Sequence, residues 1–369
     1  MEHHVELIAV NIRHKLSVPQ RSSIAVEKKN PSTLHKVPFF ALPRQVAPFF
    51  SGFFVLCAAL RLGRRTDVIV AQYHPHTLLA PFAVLLGSVL KIPVIFRADD
   101  VYREMGSSPN LAEKIMNLVD EHFIKYSKAF LVVCSEQRRI LLSRQRQGGF
   151  ERQVFLSVNG VDLSEFNIPE SKREIRKRLG FGNDEKIVLF VGRYSGEVYG
   201  IEILIRALAI ILEKIPNLAL VLVGDKPTPG QMLLINSLQA ANRIRLYGPM
   251  SHAEVVRFII SADVCIGPLN PTLTIPLKVA EYMACGKPVV TGLNSVSQDI
   301  AVNGYNCICV PPESKAVAEA IASLLQNRKY AKMLSLNAMK TGKCFTWDEA
   351  ADDLNRMLHQ LIKEVPGTI

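Results

Sequence analysis

The chain has 369 residues, 49% of them hydrophobic, with 21 glycines and 21 prolines. That length and balance exclude a disordered or collagen-like chain and leave room for two hydrophobic cores. Lys and Arg total 44 against 33 Asp and Glu, a formal charge of +11, which favours anionic partners: nucleic acid, an acidic lipid surface or phosphorylated ligands.

Met1 is followed by the polar "EHH", so no signal peptide is expected and the chain reads as cytoplasmic. The seven cysteines form no CxxC pair and no Cys/His spacing of a zinc site. They read as reduced, mostly buried thiols, and no metal is expected. In chain order, "VELIAV" (5–10), "DVIVAQ" (67–72), "PVIFRA" (93–98), "AFLVVCS" (129–135) and "QVFLSV" (153–158) are short, β-branched-rich and bounded by turn residues. Helical patterns fill 76–90 and 109–127, and this alternation predicts a parallel sheet covered on both faces. The most apolar stretch, 46–62, contains Pro48 and Gly52 and meets Arg61, too soon for a bilayer span of about 20 apolar residues. It reads as a core helix or as a membrane-surface helix backed by Arg61, Arg64 and Arg65.

Residues 166–185 are polar and basic and read as a linker, with Lys172, Arg173, Arg176, Lys177 and Arg178 on a solvated helical face. Strand patterns then resume at 186–192, 218–224, 243–248, 262–268, 287–292 and 306–311, separated by helices. The basic runs at 138–152 and 172–178 lack interleaved aromatics, so nucleic acid is not an expected partner.

The segment "PLKVAEYMACGKPVV" (276–290) predicts a short helix. Pro276 suits a first helical position; Gly286 suits the left-handed residue that ends a helix, and Pro288 stops its continuation. At about 100° per residue, Leu277, Val279, Ala280, Met283 and Ala284 form one apolar arc and Glu281 lies at its border. A border carboxylate needs donors. Sugar hydroxyls supply them in one reading, and a Lys or Arg salt bridge does so in the other. The helix start, with Lys278 beside it, suits a phosphate. Upstream, "FVGRYSGEVYGIE" (190–202) is a strand ending in Gly192-Arg193 before a flexible loop, and such strand ends bind ligands in open parallel sheets. Arg193 is a bidentate donor for phosphate there. The loop has neither GxGxxG nor GK[ST] spacing.

Taken together, "DVIVAQYHPH", "IPVIFRADDVY", "VFLSVNGVDLSEF", "VLFVGRYSGEVYGIEILIRAL", "LALVLVGD", "RIRLYGPM", "PLKVAEYMACGKPVV" and "FTWDEAADDLNRMLHQLI" resemble, in order and spacing over nearly the whole chain, the family 4 (group 1) retaining glycosyltransferases of the GT-B fold. The resemblance implies an α/β fold with two Rossmann-like, doubly wound domains facing a cleft. They would be an acceptor-side domain over 1–166 and a nucleotide-sugar domain over 167–343, with a C-terminal helix over 344–369 crossing back to the first. It implies transfer, with retention and without a metal or other cofactor, from a UDP- or GDP-sugar to a glycan or lipid-linked acceptor. Polysaccharide biosynthesis in the cytoplasm, with peripheral contact at the anionic inner face of the plasma membrane, is the matching setting.

Carried over by position, Gly192 and Arg193 resemble the family's diphosphate-binding strand end and Glu281 its ribose-binding glutamate, with Leu277 and Lys278 on the same donor side. Asp99 falls near the family's active-site histidine, and His74, His76 and Asn159 are further acceptor-side candidates. Asp99-Asp100 has no intervening residue and is no DxD metal signature. The chain departs from the family in three places. Tyr199-Gly200 stands where a second diphosphate lysine is usual, and Leu273 stands where an earlier glutamate is common, so Lys278 is expected to take over part of the phosphate role. "EHHVELIAVN" resembles the family's second strand, so the first strand, glycine-rich turn and first helix are expected to be missing. That leaves a start lying upstream or a degenerate enzyme. The competing readings are a sugar-nucleotide epimerase or phosphorylase of the same fold and a non-catalytic nucleotide-binding protein.

Overall fold

A computed structural model describes residues 5–10, 25–29, 32–37, 66–73, 79–98, 111–194, 199–238, 240–271, 275–294 and 296–363. The apolar segment 46–62, His74, His76, Asp99, Asp100 and Leu273 lie outside these residues. The chain divides into two compact units, one running to Val132 and taking in Gln137–Leu156, the other comprising Val133–Glu136 and everything from Ser157 onward.

In the first unit, β1 (Val5–Val10), β2 (Ala25–Lys29) and β3 (Ser32–Val37) form a sheet of order β1-β3-β2, with β1 parallel and β2 antiparallel to β3. A second sheet, wholly parallel, runs β4 (Ile69–Gln72), β5 (Val94–Ala98), β6 (Ala129–Val132), β7 (Gln153–Leu156). The helices α1 (Leu79–Leu90), α2 (Leu111–Ile124) and α3 (Ser135–Gln147) connect its strands. Ile95, Phe96, Phe130 and Val132 are fully buried, which is why β5 and β6 read as continuous apolar runs: both faces of a parallel strand are covered.

The second unit is built on six parallel strands. They are β8 (Lys186–Gly192), β9 (Leu218–Gly224), β10 (Ile244–Tyr247), β11 (Val264–Ile266), β12 (Val289–Gly292) and β13 (Ile308–Val310), in the order β10-β9-β8-β11-β12-β13. The helices are α4 (Lys172–Arg178), α5 (Ile201–Lys214), α6 (Pro229–Ser237), α7 (His252–Ser261), α8 (Leu277–Ala284), α9 (Ser314–Gln326), α10 (Arg328–Gly342) and α11 (Trp347–Lys363). Alternate strand residues feed two cores. Val188, Phe190, Leu220 and Ile266 pack with α5 and α9, while Ile187, Leu189, Val221 and Cys265 pack with α7 and α8. The order proceeds outward from β8 through β9 to β10 and then returns to β11 on the other side of β8. That reversal is the switch point where open α/β sheets bind ligands, outside the carboxyl ends of the strands.

The segment read as a linker belongs to this unit. Ser171 and Glu174 form a capping box that starts α4. Arg176 is buried and donates to Asp263 Oδ2 at 2.7 Å and to the Ser261 carbonyl at 3.0 Å, and Lys172 reaches Asp263 Oδ1 at 2.7 Å. Two members of the basic run are therefore structural, and the rest face solvent as expected. The unit also begins earlier than residue 167, because Val161 pairs with Thr346 and its N–H donates to the Phe345 carbonyl. Gly192, the last residue of β8, lies at the carboxyl edge of this sheet.

Candidate functional site

At that edge the sequence of α8 does something its composition does not announce. Pro276 adopts φ −67° and ψ 123° as the N-cap, so the helix starts at Leu277, one position later than expected, and no side chain caps it. The Val279 N–H turns back to the Pro276 carbonyl at 2.9 Å, which leaves the N–H groups of Leu277 and Lys278 to water or a ligand. At the other end Gly286 has φ +63°, the left-handed residue anticipated there. The buried face is Val279, Ala280, Tyr282 and Met283. Leu277 is 40% exposed, and the buried face extends on the other side of the arc to Tyr282, whose hydroxyl accepts the Val191 N–H at 2.9 Å.

Lys278 is the unusual member. Its ammonium is buried without a hydrogen-bond partner among the described residues. It lies 4.5 Å from the centroid of the Phe190 ring and 4.1 Å from that of Tyr199. Aromatic faces attract a cation but satisfy none of its three donors. Burial pushes Lys278 down to about 8, with Arg193 pushing the same way and Glu281 and Asp225 opposing. The ammonium has a berth only because β8 ends in glycine. Gly192 has φ +142°, and a Cβ there would collide with Lys278 Nζ. Arg193 follows directly and is exposed. The turn after β8 is held by Tyr194 N–H, which donates to Asp225 Oδ1 at 2.5 Å, and by Gln231, which donates to the Tyr194 carbonyl at 2.8 Å.

Glu281, with its side chain 17% exposed, has a partner that sequence reading missed. His252 Nε2 lies 3.1 Å from Glu281 Oε1, and His252 Nδ1 lies 3.0 Å from Glu165 Oε2. His252 opens α7, which starts on a capping box of Ser251 and Glu254. Its ring meets Phe166 edge-on, with centroids 6.3 Å apart. The salt-bridge reading of Glu281 thus has a histidine where a Lys or Arg was anticipated. Nothing local in "SHAEVV" marks His252, because its partners are distant in sequence.

The structure therefore gathers Gly192, Arg193, Lys278 and Glu281 around the carboxyl end of β8 and the start of α8. Asn159 is half-buried, already has an interaction partner, and precedes Gly160, whose α-carbon abuts Thr346 and Trp347. Chemically, the arrangement offers an unpaired buried ammonium, an exposed guanidinium, free helix N–H groups and a tethered carboxylate. Anion binding beside hydroxyl recognition is what such a set can do.

Residues 171–341 match the family described as glycosyl transferases group 1. The chain is 26% identical to the D-inositol 3-phosphate glycosyltransferase of Xylanimonas cellulosilytica, over 67% of this chain and 60% of that one. It is 25% identical to the enzyme of the same name from Segniliparus rotundus, over 94% and 82%. It spans 60%, 51% and 56% of the length of the first curated relatives it matches. Among solved structures, sucrose-phosphate synthase from Thermosynechococcus elongatus superposes with a TM-score of 0.75 at 21% identity, covering 98% of this chain and 90% of that one. Anabaena HepE in complex with UDP-glucose does so with a TM-score of 0.69 at 20% identity, covering 88% and 86%. These likenesses show the fold: α/β, with two Rossmann-like units of the GT-B type. With the family match they support a group 1 glycosyltransferase.

Proposed function

We propose that this chain transfers a sugar, with retention of configuration, from a nucleotide diphosphate donor to a glycan or lipid-linked acceptor. The observation that carries the reading is the partnerless ammonium of Lys278, buried at the switch point of the sheet. A buried cation without a hydrogen-bonded counter-charge is costly, and a donor diphosphate is the anion whose size and place fit it. In this reading Lys278, Arg193 and the uncapped start of α8 take up the charge that develops on the leaving diphosphate. The incoming hydroxyl attacks from the same face of the sugar, and no protein nucleophile is used. Glu281 accepts hydrogen bonds from the ribose, and Leu277 flanks it. Tyr199 replaces the expected second lysine and caps Lys278 with its ring. These basic groups do the work for which other transferases use a metal ion.

The HepE structures with UDP and with UDP-glucose favour a uridine donor over a guanosine one. Names such as D-inositol 3-phosphate glycosyltransferase and sucrose-phosphate synthase, and the formal charge of +11, favour an anionic acceptor. A lipid-linked one would be met at the cytoplasmic face of the membrane. Asp99 is the catalytic candidate, and His74, His76 and Asn159 are the acceptor-side ones. No helix among the described residues is long and apolar enough to cross a bilayer.

Calorimetric titration with UDP and GDP, beside Arg193→Ala and Glu281→Ala, tests the donor site. UDP is expected to bind, and each variant to weaken it by about ten-fold or more, the loss of one charge-assisted contact. Unchanged affinity in both variants would overturn the assignment.

A further inference from the structure

Lys278 and Glu281 stand three residues apart on α8, a spacing at which opposite charges on a helix ordinarily pair. They do not pair here: Lys278 Nζ has no hydrogen-bond partner, and Glu281 Oε1 is 3.1 Å from His252 Nε2. We propose that His252 is a positioning residue of the donor site, holding Glu281 away from Lys278 so that the ammonium stays open to a diphosphate and the carboxylate stays aimed at a ribose. The inference rests on the donor reading of Glu281 given above.

Three contacts qualify His252 for the task. The ring is fixed from behind by Glu165, whose Oε2 is 3.0 Å from Nδ1, and from the side by the Phe166 ring. A carboxylate oxygen only accepts, so each of these two contacts is a hydrogen bond where the ring nitrogen facing the carboxylate carries a proton. Glu281 Oε2 makes no hydrogen bond among the described residues, and it is the oxygen available to a hydroxyl. An untethered glutamate has three side-chain torsions to freeze on binding, and it also has a cation one turn away on its own helix. Tethering removes both obstacles, which is the preorganisation that a binding constellation needs from its supporting residues. The same tether explains how a buried lysine persists unpaired with a carboxylate so near in the chain.

The test is titration of the full chain with UDP and with 2′,3′-dideoxy-UDP, which lacks the hydroxyls assigned to Glu281. His252→Ala is expected to weaken UDP by at least about five-fold, the value of one hydrogen bond, and to narrow the ratio between the two nucleotides. A purely structural histidine would leave that ratio where it was. His252→Gln, whose amide N–H still reaches toward Glu281, is expected to restore most of the affinity and the ratio, and it also serves should His252→Ala fold poorly. If Glu281→Ala loses UDP while His252→Ala and His252→Gln both bind both nucleotides as the parent does, the positioning role is wrong and the donor site stands. If Glu281→Ala and Arg193→Ala also bind as the parent does, the donor reading falls and takes this inference with it.

Discussion

The two edges of the six-stranded sheet are both rich in cations, and they treat them oppositely. At the amino edge Lys172 and Arg176 both meet Asp263 at 2.7 Å, Asp263 also accepts the Ile187 N–H at 2.9 Å, and Lys287 donates to the carbonyls of Ile260 and Ala262 at 2.6 and 3.2 Å. At the carboxyl edge Lys278 has two aromatic rings and no acceptor among the described residues. Burial pushes both lysines to about 8, so burial alone does not separate them. Partners do. A satisfied buried cation is part of the fold, whereas an unsatisfied one marks the place where a ligand completes the structure.

The comparison breaks most visibly if Asp263 is removed. Asp263→Ala takes the shared carboxylate from Lys172, Arg176 and the Ile187 N–H together, leaving Lys172 only the Ala262 carbonyl and Arg176 those of Ser261 and Glu185, and should cost about 3 kcal/mol in urea unfolding while leaving UDP affinity alone in the chain that remains folded. Burial raises the Asp263 carboxyl, but Lys172, the Ile187 N–H and Arg176 outweigh it and hold the group below its ordinary 3.8. Its contribution is therefore present above that ordinary value and lost as pH falls through the lowered one.

Gly192→Ala attacks the other edge. A side chain at φ +142° that also displaces the Lys278 ammonium should destabilise by about 1–3 kcal/mol and weaken UDP by about ten-fold, so fold and site suffer together.

A gentler probe is pH. Lys278, lowered from 10.5 to about 8, binds a diphosphate as the ammonium, and the bound anion raises its affinity for the proton. UDP affinity should be flat below about pH 7 and fall as pH rises through about 8, by at most about ten-fold per unit. Without ligand the sign reverses. The unfolded chain holds more protons between about 8 and 10.5, so these two lysines make the folded chain relatively more stable as pH rises through that window. Calorimetry across pH 6.5–9.5 checks the first and chemical denaturation the second.

Much of this was legible in the sequence. The runs at 186–192 and 218–224 became β8 and β9 without a residue's change, because fully buried parallel strands leave uninterrupted apolar signatures. The short helix at α8, its glycine stop and its border glutamate could also be read. Two things could not. Lys278 and Lys287 are the same residue type, nine positions apart and both flanked by apolar residues, and only three-dimensional partners distinguish the structural one from the open one. His252 sits 29 residues from Glu281, and its ring meets two carboxylates and an aromatic through folds of the chain that no local period encodes. Leu277, placed in the apolar arc, is exposed while Tyr282 is buried, because an arc drawn on one helix does not say which of its borders meets the sheet.

The central claim is that these two lysines have opposite jobs, and the direct measurement is Lys278→Met beside Lys287→Met, each followed by urea unfolding and UDP titration. Lys278→Met should keep or raise stability, since it replaces an unpaired buried charge by a side chain of similar volume, and should weaken UDP by at least about thirty-fold. Lys287→Met should lose about 1–3 kcal/mol by taking the donor from the Ile260 carbonyl and one of the two donors, with Lys172, from the Ala262 carbonyl, and bind UDP as before. A Lys278→Met protein that binds UDP as tightly as the parent would contradict the account.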